Sequence, residues 1–306
     1  MNRISFKTKD LQTIQGFFYP AALPIGTLPI GTLLIASALG VPQQYYKHYA
    51  AFMAEHGYQC VTFDYRGTGL SEYSGSLRDI ELSQWGSQDL EAAITEAKRL
   101  ADKQSSNKDV FLVGHSIGGQ ILGLANNASE LNSAIFIASS APFWGRWPYP
   151  KKLYLAFVCH ILLPAFSFAR DMYPARAVGL SSMDLPATCA RDWGRWMRNK
   201  DYLFGDKFNL PRKGYLEFNK PLLSLAFSDD EFAPKNNVDH LLKFFDNASI
   251  ENELIHNDSL NLGAIDHMGF FKKTFRDTLW QKSLDWINVQ NPLNERQATK
   301  NGAEFK

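Results

Sequence analysis

Several features that are scarce in this chain of 306 residues exclude whole classes of protein. It has only three cysteines, Cys60, Cys159 and Cys189, and none forms the C-x-x-C pair of a zinc site or belongs to a disulfide framework. The formal net charge is +1, which gives no reason to expect a nucleic-acid partner. The single repeat, Leu-Pro-Ile-Gly-Thr at 23–27 and 28–32, is far too short for a solenoid. We therefore expect no metal, no cofactor and no nucleic acid.

Long hydrophobic runs are also scarce. The N-terminus lacks the apolar core of a signal peptide, so we expect a reducing cytoplasmic location. One apolar run, 153–168, falls short of the roughly 20 residues that span a bilayer, and His160 and Pro164 interrupt it. Lys151 and Lys152 precede this run and would suit a helix at a membrane surface. Its length and interruptions favour a buried or cap helix instead.

What the chain does have is an alternation of strand and helix patterns, as a mostly parallel α/β sheet requires. The alternation stops at Pro142, where an aromatic-rich segment with helical periodicity begins, and it resumes at Pro221. We therefore predict an α/β core from residues 1–141 and 216–290, with a helical cap inserted at 142–215. Residues 291–306 form a polar tail. The oligomeric state is not predicted.

Residues 110–119, Val-Phe-Leu-Val-Gly-His-Ser-Ile-Gly-Gly, predict a nucleophile. A buried apolar strand runs into G-x-S-x-G, with Ser116 at its centre. A nucleophilic serine has to stand on a sharp strand-to-helix turn, and glycines on either side let the two elements approach closely. The amide of Ile117, which follows the serine, is a candidate oxyanion donor.

A serine at neutral pH needs a histidine base and an orienting carboxylate. His267 follows the last predicted strand and suits the base. Asp229 and Asp230 both follow the strand that begins near Leu222, and either could orient the histidine. Asp266 is adjacent to His267, where side chains generally point apart, so we interpret it as a turn residue.

These motifs together resemble the α/β-hydrolase superfamily, and within it the hydrolases similar to serine aminopeptidases and monoacylglycerol lipases. The resemblance covers about residues 10–289. The stretch Asp64-Tyr-Arg-Gly-Thr-Gly-Leu-Ser71 matches a strand signature of the superfamily, and Asp-His-Met-Gly-Phe-Phe at 266–271 matches its histidine loop. The resemblance implies an eight-stranded, mostly parallel sheet with helices on both faces and a helical cap.

The resemblance also assigns two further roles. The superfamily's acid commonly lies four residues before a proline, as Asp230 lies before Pro234, so Asp230 is preferred to Asp229. Many relatives carry His-Gly in the loop that supplies the second oxyanion donor. This chain has Ser-Ala-Leu-Gly at 37–40 instead, and the register assigns the donor to the amide of Leu39.

The aromatic load of 142–215 predicts a substrate with an apolar acyl or alcohol portion. Trp144, Phe157 and Trp196 are the candidate contacts, although aromatic stripes are more often cap core than ligand contacts. The expected reaction is hydrolysis of a carboxylic ester through an acyl-enzyme. Peptide and thioester hydrolysis, cofactor-free haloperoxidase or carbon–carbon hydrolase chemistry, and a non-catalytic scaffold are the alternatives.

Overall fold

The architecture is a large sheet with helices packed against it. The computed structural model describes residues 1–104, 108–260 and 263–291. Its strands, in chain order, are β1 (Asn2–Lys7), β2 (Thr13–Tyr19), β3 (Gly31–Ala36), β4 (Tyr58–Phe63), β5 (Val110–His115), β6 (Ser133–Ile137), β7 (Met172–Tyr173), β8 (Leu185–Pro186), β9 (Pro221–Phe227) and β10 (Ser249–Ile255). Eight of them form one sheet in the order β1-β2-β4-β3-β5-β6-β9-β10.

The sheet is parallel from β4 to β10, and β2 runs in the opposite direction, so that it pairs antiparallel with both β1 and β4. Every residue of β3, β4, β5 and β6 is buried. Burial of consecutive residues means that both faces of the central sheet are covered, which explains why these strands are continuous apolar runs. The structure thus has the predicted α/β-hydrolase fold.

The helices fill the connections between strands. They are α1 (Lys47–Glu55), α2 (Leu82–Gln84), α3 (Glu91–Gln104), α4 (Ile117–Gln120), α5 (Lys151–Phe157), α6 (Leu163–Ser167), α7 (Ala187–Met197), α8 (Lys213–Glu217), α9 (Lys235–Leu242) and α10 (Gln281–Gln290). Wide π-helical turns at Trp85–Leu90 and Val158–Leu162 join α2 to α3 and α5 to α6.

Helix α4, which follows the elbow, is much shorter than an ordinary connecting helix. Its last carbonyl, on Gln120, accepts a hydrogen bond from the Tyr215 hydroxyl at 2.6 Å. The amide of Leu124, which would bond this carbonyl in a longer α-helix, instead donates to the carbonyl of Ile121. The chain therefore continues as a 3-10 turn at Leu122–Leu124.

The segment 142–215 contributes no strand to the large sheet. It contains α5, α6 and α7, and also the short antiparallel pair β7–β8, which the helical periodicity did not predict. Helix α8 spans the boundary predicted at residue 215 and packs against the 3-10 turns that follow α4. Of the predicted tail, 291–306, only Asn291 lies within the described residues.

Candidate active site

Ser116 stands on a strained turn at the carboxyl end of β5, in the middle of the sheet. Its φ of 52° and ψ of −113° lie outside the ordinary regions for a residue with a side chain. A Cβ at Gly114 would lie 2.6 Å from the amide nitrogen of Gly119, and one at Gly118 would lie 2.4 Å from the carbonyl oxygen of Ala36. Only glycine fits at these two places, which is the physical basis of the G-x-S-x-G spacing.

Three loops at the same edge of the sheet bring a serine, a histidine and an aspartate into line. The Ser116 hydroxyl lies 2.9 Å from His267 Nε2 and can donate to it. On the other side of the ring, His267 Nδ1 donates to Asp230 Oδ2 at 2.8 Å. Ser116 follows β5, Asp230 follows β9 and His267 follows β10, so the carboxyl ends of parallel strands position all three.

Asp230 and Asp229 occupy different environments. The Asp230 side chain is completely buried, and its second carboxylate oxygen accepts from the amides of Phe232 and Ala233 at 2.7 and 3.0 Å. The Asp229 carboxylate instead accepts from the amide of Ile265 at 2.8 Å. The structure therefore places Asp230 beside the ring of His267, and Asp229 ties two loops together.

The two residues predicted to donate backbone hydrogen bonds to an oxyanion lie beside the serine. Leu39 and Ile117 both line the cavity that contains Ser116. Within the described part of the chain, neither amide has a hydrogen-bond acceptor. The amide of Ala38, in contrast, donates to the Tyr46 hydroxyl at 2.8 Å. The loop thus leaves the amide of Leu39 without an acceptor among the described residues, which is what an oxyanion donor requires.

Tyr46 and His115 form a buried network that connects the Leu39 loop to the His267 loop. Tyr46 accepts from Ala38 and donates to His115 Nδ1 at 2.9 Å, while His115 Nε2 donates to the carbonyl of His267 at 2.8 Å. Burial, reinforced by the neighbouring His267, lowers the pKa of His115 to about 3, so this ring is neutral at physiological pH. The sequence placed His115 in the elbow, but no spacing signal pointed to Tyr46.

The cavity beside Ser116 has a volume of about 350 Å³. The core contributes Leu39, Val41, Ile117 and Met268 to its wall, and the inserted segment contributes the stretch 179–182 and Trp193. None of the described residues that line it carries a carboxylate. Apart from the serine and histidine, an apolar group would meet mostly aliphatic and aromatic side chains.

The three residues of the inserted segment that were predicted to contact the substrate do not lie at either cavity. Trp144, Phe157 and Trp196 line neither this cavity nor the second cavity beside it. Trp196 is buried against Tyr202, with ring centroids 5.6 Å apart. Trp144 packs on His160, and Phe157 is 47 % exposed. These rings pack within the segment or face solvent.

Among the described residues, Trp193 is the tryptophan that lines the cavity containing Ser116. It lies on α7 and lines both cavities. Met197, one helical turn later, lines the second cavity from the same face of the helix. The aromatic count of the segment signalled an apolar pocket, but the choice among its tryptophans depends on the rotation of α7, which the sequence pattern did not specify.

Comparison with known proteins identifies the family of the chain. The family model described as serine aminopeptidase, S33, matches residues 28–184, and the chain belongs to this family of α/β-hydrolases. The protein is therefore a hydrolase of the α/β-hydrolase superfamily. No curated protein matches the sequence. Among the described residues, no helix has both the length and the hydropathy needed to cross a membrane.

Solved structures with the same fold share little sequence with this chain. The α/β-hydrolase GrgF from Penicillium sp. sh18 is 16% identical, with 95% of this chain and 99% of that chain covered and a TM-score of 0.60. A monoglyceride lipase from Saccharomyces cerevisiae is 15% identical, with 94% of each chain covered and a TM-score of 0.62. The esterase EaEST from Exiguobacterium antarcticum is 15% identical, with 93% and 98% covered and a TM-score of 0.58.

Proposed function

We propose that the protein is a serine hydrolase that cleaves carboxylic esters with an apolar acyl or alcohol portion. The observation that carries this proposal is the line from Asp230 through His267 to Ser116, with contacts of 2.8 and 2.9 Å, at the wall of an apolar cavity. A hydroxyl that donates to a histidine whose other nitrogen is held by a carboxylate is an activated nucleophile.

The reaction follows from the atoms in place. Ser116 Oγ attacks the ester carbonyl carbon while His267 Nε2 takes the hydroxyl proton. The negative charge on the carbonyl oxygen is met by the amides of Leu39 and Ile117, and Asp230 stabilises the imidazolium. The alcohol leaves with the proton from Nε2, which forms the acyl-enzyme. Water, deprotonated by the same nitrogen, then releases the acid and restores Ser116.

The cavity favours an ester over an aminopeptidase substrate. An aminopeptidase has to neutralise the ammonium group of its substrate, usually with a carboxylate. Within the part of the chain that the structure describes, Glu231 is the only carboxylate in the lining of either cavity, and it is paired with Lys151 at 2.8 Å. An uncharged apolar group is the better fit. The three buried free cysteines accord with a cytoplasmic location, which we also propose.

A panel of three butyryl substrates and one amino-acid anilide tests the choice of bond. We expect the purified protein to hydrolyse p-nitrophenyl butyrate and to be far slower with the butyryl thioester, butyryl anilide and an amino-acid anilide. Ser116→Ala should abolish turnover, with its unfolding midpoint as the control for folding. Faster cleavage of the amino-acid anilide would replace the ester proposal with a peptidase.

A further inference from the structure

A second cavity of about 190 Å³ lies beside the one that contains Ser116. Five residues line both cavities and therefore form the partition between them: Pro142, Gly179, Leu180, Trp193 and Phe232. The far wall of the second cavity comes from the inserted segment and includes Leu155, Val158, Leu162, Phe166 and Tyr173. Ser116 and His267 line only the first cavity, so a ligand held at the serine enters the second one by crossing the partition.

The chemistry of the second cavity selects an uncharged, apolar occupant. Its walls are mostly aliphatic and aromatic side chains. The two charged residues of its lining, Lys151 and Glu231, neutralise each other, because the Lys151 ammonium donates to the Glu231 carboxylate and also to its backbone carbonyl, at 2.8 Å in each case. A hydrocarbon chain would gain from burial here, whereas a charged group would find no free partner.

The two aromatic residues of the partition differ in what holds them. Phe232 belongs to the acid loop: its amide donates to Asp230 at 2.7 Å, and its ring lies 5.4 Å from the ring of His267. Trp193 belongs to the inserted segment, on α7. A substitution of the Phe232 side chain would therefore change a ring that contacts His267. Trp193 can therefore be replaced by a smaller residue without changing a contact of the catalytic groups.

We propose that the second cavity is a chamber for the distal end of a long acyl chain, and that Trp193 determines which chains pass into it. The proposal rests on the ester-hydrolase function and adds a substrate class to it, namely esters of medium- and long-chain fatty acids. Short acyl groups occupy the first cavity alone. Longer ones gain the additional burial of the second chamber once they pass Trp193.

Two substitutions with opposite expected effects test this proposal, with p-nitrophenyl butyrate, octanoate and laurate as substrates. Val158→Trp fills the second chamber and should lower the ratio of kcat/KM for laurate to that for butyrate by about tenfold or more. Trp193→Leu opens the partition and should raise the same ratio. Leu153→Trp is the matched control, because Leu153 lies on the adjoining helix α5, is 60% exposed and lines neither cavity.

Equal ratios in Val158→Trp, Trp193→Leu and the unaltered protein, with butyrate still hydrolysed, would overturn the chamber while leaving the ester-hydrolase proposal intact. Leu162→Trp, from the same wall, replaces Val158→Trp if that variant does not fold. A binding measurement separates the two proposals further. Calorimetry on Ser116→Ala should show that p-nitrophenyl laurate binds more tightly than p-nitrophenyl butyrate. Adding Val158→Trp should weaken the binding of the laurate ester. Unchanged laurate affinity in the double variant would also overturn the chamber.

Discussion

At the scale of single residues, Asp229 and Asp230 show how position decides the role of chemically identical neighbours. Asp230 is buried between two backbone amides and the ring of His267, while Asp229 accepts from the amide of Ile265. An amide at position 230 would lose the charge that stabilises the imidazolium and could favour the wrong tautomer. An amide at position 229 keeps an oxygen acceptor for Ile265.

We therefore expect Asp230→Asn to lower kcat by about four orders of magnitude and Asp229→Asn to lower it by less than about tenfold. Both values come from ester hydrolysis at saturating substrate, with circular dichroism as the control for folding. The opposite ranking would transfer the orienting role to Asp229.

Tyr46 carries the second residue-scale prediction. Its hydroxyl satisfies the amide of Ala38 and a ring nitrogen of His115, both buried. Tyr46→Phe leaves these two groups without a partner and should lower the free energy of unfolding by about 1–3 kcal/mol. It should also reduce kcat, because the loop that contains the Leu39 amide loses one of its anchors.

Tyr65→Phe is the matched control for that variant, because the Tyr65 hydroxyl is also buried but has no hydrogen-bond partner in the described residues. Chemical denaturation should find it nearly as stable as the unaltered protein. If both phenylalanine variants behave alike, the network from Ala38 to His115 contributes nothing specific.

At the scale of elements, the contact between α4 and α8 fixes the end of the nucleophile helix. Gly123 lies directly under the ring of Tyr215, where an added Cβ would come within 2.1 Å of a ring carbon. The hydroxyl of the same tyrosine bonds the last carbonyl of α4. Tyr215 therefore ends the short helix through its hydroxyl and packs its ring on the chain that follows.

Gly123→Ala should consequently destabilise the fold by about 1–3 kcal/mol or more, because the ring has to move from its hydrogen bond to make room. Gly269→Ala is the control, since the nearest atom to a Cβ there is 3.4 Å away. Thermal unfolding of the two variants gives the comparison. Equal midpoints would mean that Tyr215 can move freely.

The sequence predicted elements best where a single local rule determines them. The apolar run into G-x-S-x-G predicted β5, the elbow and Ser116, because the turn is too crowded for side chains at Gly114 and Gly118. Prediction failed where partners distant in sequence decide. Tyr215 ends α4 from 95 residues away, and the rotation of α7 brings Trp193 rather than Trp196 to the cavities.

At the scale of the whole molecule, the parallel sheet brings chain positions 116, 230 and 267 to one edge. The shared location of these groups could be predicted, because the carboxyl ends of parallel strands meet at the same edge of the sheet. The buried hydrogen bonds that hold the loops around these groups could not be predicted. The network through Tyr46 joins residues separated by 69 positions, and no local pattern encodes such a contact.

His115 makes stability depend on pH. Its pKa is lowered from 6.5 to about 3 in the folded protein, so the unfolded chain takes up a proton at a higher pH than the folded one. The resulting stability is fully present above pH 6.5 and is lost as pH falls toward 3, by at most about 1.4 kcal/mol per pH unit. Asp89 opposes this trend, because burial raises its pKa to about 6.

Comparing the pH dependence of stability in the unaltered protein and in His115→Gln separates the contribution of the histidine from that of Asp89, because Asp89 is present in both. Urea unfolding at a series of pH values below 6.5 should give a shallower loss of stability for the variant. Parallel curves would mean that His115 is protonated in the folded protein as readily as in the unfolded chain.

Labelling with a fluorophosphonate, followed by peptide mass spectrometry, tests directly whether Ser116 is an activated nucleophile. We expect one adduct, on Ser116, formed in step with the loss of ester hydrolysis. Neither Ser116→Ala nor Asp230→Asn should label at a comparable rate. Ester hydrolysis that continues while Ser116 stays unlabelled, or an adduct on a different residue, would contradict this role of Ser116.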